Sequence, residues 1–171
     1  MSNEIKVGFG LADITIDGVD VGLQGDGATF TAEPKYIDVE TYEMGLYDLY
    51  LDGWDVKLSV TFQDENFDKL KMALPALEEI RDELDTTTVG LKDGALHQRM
   101  RAKASEIVVH PRDAGVSTDS DITIFKAFPT GVFERKYGKE VVAYTVEFKA
   151  LPLTGNPSQG GNFFRIGQET V

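Results

Sequence analysis

Along most of this chain hydrophobic and polar residues alternate with period two, the spacing that puts every second side chain on one face of a β-strand. Ala12-Asp13-Ile14-Thr15-Ile16 places Ile14 and Ile16 together, and Asp17-Gly18 is a turn signal before Val19-Asp20-Val21 alternates again. Gly22, Gly25 and Gly27 mark a turning segment, followed by a strand over 28–33 that continues past Pro34 through Lys35-Tyr36-Ile37-Asp38-Val39-Glu40. Proline donates nothing to a ladder, so Pro34 is expected at a sheet edge or a bulge. The clearest strand is 54–62, with Trp54, Val56, Leu58, Val60 and Phe62 on one face. Further strands are expected at 104–110, 121–128, 140–151 and 162–167, with a turn over 154–161.

Two stretches break the period. Residues 41–53, rich in Tyr, Leu and Met, read as a long loop between two strands. Residues 64–84 read as a helix: Asp64 as N-cap, Glu65 in the first turn, and Phe67, Leu70, Leu74, Leu77 and Leu84 on an inward face. Asp68, Lys69, Lys71, Glu78, Glu79, Arg81 and Asp82 fall on the opposite side, and Pro75 is expected to kink the helix. On this reading Leu74 is a core residue whose truncation to alanine costs about 2–5 kcal/mol. Residues 86–101 read as loop or short extended pieces. Many short strands and one helix predict a mainly β domain, a sandwich or barrel of mostly antiparallel strands with one flanking helix. No repeat or linker divides residues 1–171, so a single domain is expected.

Composition narrows the chemistry. At 171 residues and 42% hydrophobic, the chain can bury a sizeable core. No apolar run approaches the ~20 residues of a membrane-spanning helix, and Met1-Ser2-Asn3-Glu4 does not start a secretory signal. Cysteine is absent, which excludes disulfides and thiolate chemistry. The net charge is −12, unevenly spread: residues 1–90 hold 20 acids and 6 bases, residues 91–171 hold 9 and 11. An excess of acid repels phosphate backbones, so nucleic acid is not expected to bind by ion pairing.

Catalytic and metal motifs are missing. His97 and His110 stand thirteen apart without a second ligand at helical spacing, and read as structural histidines. Asp13, Thr15, Asp17 and Gly18 imitate the start of a calcium loop, but Gln24 occupies the position of the bidentate carboxylate, so a β-turn is expected there. Gly8-Phe9-Gly10 lacks a third glycine, no nucleophile elbow or phosphate loop occurs, and Asn156-Pro157-Ser158 is not a glycan acceptor. The expectation is no enzyme, no cofactor and no metal.

The order and spacing of several segments resemble the major tail tube proteins of long-tailed, siphovirus-type bacteriophages. They are 27–40, the loop to Gly53, Trp54 to Phe62, Asn66-Phe67-Asp68-Lys69-Leu70 with Ala73-Leu74, Glu106 to Pro111, Asp121 to Phe128, Val146 to Pro152 and Gly160 to Gly167. The similarity covers about residues 10–167. It implies a structural virion protein, made and assembled in the bacterial host cytoplasm, whose hexameric rings stack into a tail tube. Its implied partners are further copies of itself and the tape-measure, tail-terminator and tail-tip proteins; DNA passes through without specific binding, and no membrane is entered. The resemblance places 41–53 against neighbouring subunits, with Tyr42, Met44, Leu46, Tyr47, Leu49 and Tyr50 as contacts. Glu33, Asp38 and Glu40 are candidates to line an acidic lumen. Alternatives are a tube subunit of a contractile or secretion system, a head-decoration or tail-terminator protein, and a ligand-binding β-barrel.

Overall fold

The computed structural model describes residues 10–22, 24–63 and 66–169, without the side chains of 24–26. The proposed N-cap Asp64, Glu65, Met1 to Glu4, Gly8-Phe9 and the Gln24 side chain lie outside the described residues.

Among the described residues ten strands form in chain order: β1 (Ala12–Ile16), β2 (Val19–Asp20), β3 (Gln24–Thr41), β4 (Gly45–Phe62), β5 (Glu78–Arg81), β6 (Thr88–Lys92), β7 (Ser105–Pro111), β8 (Ile122–Pro129), β9 (Tyr144–Ala150) and β10 (Phe164–Ile166). One α-helix, α1 (Phe67–Ala73), follows β4. Eight strands make one antiparallel sheet in the order β2-β1-β7-β8-β9-β4-β3, with β10 also pairing β8. Along one side of β8, Ile122–Ile124 pair with β10 and Ala127–Pro129 pair with β9. The strand thus changes partner midway, and the sheet bends there. Buried Ile14, Ile107, Ile124, Leu58, Phe62 and Phe148 belong to one apolar cluster, so the two halves of the sheet fold over a common core. The sheet does not close into a barrel, because β2 and β3 remain edges. The mainly β fold with one helix therefore agrees with the period-two pattern.

Local chemistry explains the turns. Asp17 and Gly18 both carry positive φ, the backbone of a primed hairpin turn. The Asp17 carboxylate accepts from the Glu106 N–H at 2.9 Å and Asp13 pairs with Arg112 at 2.6 Å. Pro34 lies in β3, an edge strand, and a bulge follows it at Lys35/Tyr36.

The helix is shorter than its periodicity suggests. Asn66 caps it, its side chain accepting from the Lys69 N–H at 2.8 Å, and it ends at Ala73. Pro75 terminates rather than kinks: it disfavours helical backbone at Leu74 and clashes with the preceding turn. Residues 78–81 pair instead with 88–92 as a two-stranded hairpin, 88–92 being one of the short extended pieces expected within 86–101. The buried face also differs. Ala73 and Lys69 are buried, Leu70 and Met72 pack against the core, and Phe67 is exposed. Lys69, assigned to the polar side, sends its ammonium to the Asp20 carbonyl. Glu79 joins hairpin to helix: hydrogen bonds from Lys71 (2.5 Å) and Arg81 (2.7 Å) hold its carboxyl down at about 2. Leu74 sits at the helix end outside the core cluster, and Leu84 lies in the hairpin turn, 95% exposed. Leu84→Ala should therefore change the urea-unfolding free energy by less than about 0.5 kcal/mol. A loss of 2 kcal/mol or more would restore the long helix.

Candidate functional site

The stretch expected as a loop over 41–53 is a strand reversal. β3 and β4 are 18 residues each and pair from Gln24↔Phe62 out to Thr41↔Gly45. Only Tyr42, Glu43 and Met44 form the turn, where Gly45 at φ +70 and a Met44 N–H bond to the Thr41 hydroxyl (3.3 Å) close the hairpin. The inner half of the hairpin is part of the sheet, with Ala28, Phe30, Ala32 and Trp54 packed against the core. Phe164 anchors its root, meeting Phe30 and Trp54 edge-on at ring distances of 5.5 and 5.4 Å.

Beyond the root, the ribbon leaves the body. Every side chain from Lys35 to Asp52 is exposed, so neither face of this arm is covered by the described residues. Seven residues on the β3 side and eight on the β4 side, at ~3.4 Å each, make an arm roughly 25 Å long. Cross-strand partners share a face, which sets out two apolar surfaces. Tyr36/Leu51, Asp38/Leu49 and Glu40/Leu46 line one; Ile37/Tyr50 and Val39/Asp48 line the other, with Tyr47 at a bulge. Tyr42 is fully exposed and Met44 is 72% exposed at the tip. All six proposed contact residues, Tyr42, Met44, Leu46, Tyr47, Leu49 and Tyr50, thus stand on this arm. Tyr36, Ile37, Val39 and Leu51 join them; the first three were read as ordinary strand positions, and Leu51 lay in the expected loop without being named as a contact.

The three lumen candidates do not share a surface. Glu33 sits opposite Asp55 on the body, on the polar face of β3, whereas Asp38 and Glu40 stand on the arm and, by strand alternation, on the other face. Beside Glu33 the face is mixed in sign. Asp55 lies 3.8 Å from Lys57 and 3.6 Å from Lys149, and Glu147 and Lys149 continue the face on β9. The arm is itself acidic, with Asp38, Glu40, Glu43, Asp48 and Asp52 against Lys35 alone, as is the β5–β6 hairpin, with Glu78, Glu79, Asp82, Glu83 and Asp85 against Arg81 and Lys92.

The histidines have separate settings. His97 lies in an exposed turn at φ +64. His110 of β7 is built in, with Nδ1 2.5 Å from the Asp121 carboxylate and Nε2 2.8 Å from the Gly115 carbonyl. Two acceptors favour a doubly protonated ring, so Asp121 first and Gly115 second push its pKa up. A raised folded-state value stabilises fully below histidine's ordinary ~6.5 and is lost as pH climbs through the raised value. The melting temperature should accordingly fall as pH rises through that window, and His110→Gln should remove this part of the pH dependence. An unchanged slope in the variant would show that the ring is neutral. Among the described residues no three His, Asp or Glu side chains converge as a metal site.

No protein-family model matches the sequence, and no curated protein matches it. Similar folds occur among solved structures. A chain of the anti-feeding prophage cap, a tube-terminating cap, is 11% identical with a TM-score of 0.56, over 87% of this chain and 89% of that one. A chain of the sheath/tube terminator of an extracellular contractile injection system (PVC, extended state) is 8% identical with a TM-score of 0.51, over 86% and 94%. A chain of the sheath–tube complex of the PVC system is 8% identical with a TM-score of 0.51, over 86% and 88%. The chain shares its fold with these chains of a contractile injection system and a prophage cap.

Proposed function

We propose that this protein is a non-enzymatic, ring-forming structural subunit of a phage-tail-type tube, acting as a tube-terminating ring. The observation that carries assembly is the arm, an apolar ribbon exposed on both faces. A two-stranded ribbon is marginal in water, and large exposed apolar patches mark interfaces. The terminating position rests on the solved structures of like fold, two of which are named as tube terminators or caps. A second reading, the repeated tube subunit suggested by the sequence resemblance, is favoured by one feature. An arm apolar on both faces has room for a neighbour on each, as between stacked rings. In either reading the rings leave a passage for DNA, and the other tail proteins are partners.

Negative-stain microscopy of the purified protein over a range of concentrations tests this. Single rings support the terminating role. Tubes that lengthen with concentration support the repeated subunit. A protein that stays monomeric at millimolar concentration overturns both.

A further inference from the structure

The unequal charge of the two halves of the chain has a local counterpart on its surface. The arm carries five carboxylates, and none forms an ion pair among the described residues. The connection from β6 to β7 holds the opposite: Leu96-His97-Gln98-Arg99-Met100-Arg101-Ala102-Lys103 contains three permanent cations and no acid. This segment is largely exposed, with Leu96 at 82%. It is also held in place. A 3₁₀ turn spans Met100–Lys103, packed near β8, and the Arg101 guanidinium donates to the Leu153 carbonyl at 3.0 Å. Arg99 has no ion-pair partner among the described residues, and Lys103 borders a groove that also holds Asp68, Glu78 and Glu79. Arg99 and Arg101 are therefore the cations most open to an outside carboxylate.

We propose that the arm of one copy docks on the Leu96–Lys103 segment of a second copy. The inference rests on the reading of the arm as an assembly device, and adds the surface that receives it. Charge complementarity is the argument: the unpaired acids of the arm meet the unpaired bases of the segment. Leu96 and Met100 offer apolar contacts to the tyrosines, leucines and Met44 of the arm. Apolar anchors supply the affinity, and the surrounding charges set register and partner choice. The two surfaces differ, so the contact is head-to-tail and propagates into a ring or a stack rather than stopping at a dimer.

Charge reversal on each side tests the pairing. Glu43→Lys/Asp48→Lys cancels the net charge of the arm and makes its outer part, residues 40–48, basic, and Arg99→Glu/Arg101→Glu makes the receiving segment acidic. Each variant alone should need about tenfold more protein to assemble, as read by sedimentation velocity, because like charges then face each other. An equimolar mixture should assemble near the wild-type concentration, since each kind of copy then receives the other. Unchanged melting temperatures exclude misfolding. Because the chain has no cysteine, Met44→Cys with Arg99→Cys should give an oxidised ladder of cross-linked copies, whereas Met44→Cys with Glu83→Cys should not. Wild-type assembly without rescue in the mixture and without the ladder overturns the receiving surface while leaving the arm's role intact. A wild-type protein that does not assemble at all overturns both.

Discussion

Phe62→Ala is expected to lower the unfolding free energy by about 3–5 kcal/mol. Phe62 is fully buried at the inner end of β4, stacked on Tyr144 of β9 at a ring distance of 5.4 Å and nearly parallel. Phe133 meets Tyr144 edge-on at 5.3 Å, so the three rings tie β4 and β9 to the segment after β8. Removing the middle of the core leaves a cavity that neighbours on a hydrogen-bonded sheet cannot collapse into, which adds to the lost transfer energy. Urea unfolding followed by tryptophan fluorescence measures the loss, with Trp54 as the single reporter. A cost below about 1 kcal/mol would mean that β4 and β9 are not packed as described.

Removing the arm should have the opposite profile. Joining Tyr36 to Leu51 through an Asn-Gly turn deletes residues 37–50 and leaves the root of the hairpin in register. Because both faces of the excised ribbon are exposed, the subunit should keep its melting temperature within a few degrees, while assembly is abolished. The cut differs from excising 41–53 as a loop, which would strip the partner strand from Tyr36 to Glu40 and leave unpaired apolar residues. Unfolding of the shortened subunit would show that the arm folds back on its own body. Assembly at the wild-type concentration would remove the arm from the interface.

The arm and the helix were misread for related physical reasons. Period-two alternation arises where a strand has one buried and one solvated face, as in β9, whose residues alternate strictly between buried and exposed. From Leu46 to Leu51 both faces are apolar, so the alternation vanishes and a strand looks like a loop. The turn residues Glu43-Met44-Gly45 and the density of tyrosine were the available strand signals. In 64–84, apolar residues at spacings of three and four imitated one long helix. Pro75 carried the stop signal, and pairing with 88–92 then claimed 78–81.

What the sequence determined by itself is most strands of the main sheet, the Asp17-Gly18 turn, the edge-or-bulge position of Pro34 and the apolar face of 54–62. Each follows from local sterics or from alternation against a single core, and both are written in neighbouring residues. Only the tertiary structure decided which strands lie side by side, that the sheet bends at β8 without closing, and that Lys69 is buried against the Asp20 carbonyl. It also decided that Glu33 and the pair Asp38 and Glu40 stand on different faces, and that Asp38, Glu40, Glu43, Asp48 and Asp52 stand on an arm free of the body. Those outcomes depend on contacts between residues far apart in the chain, whose energies no local pattern carries.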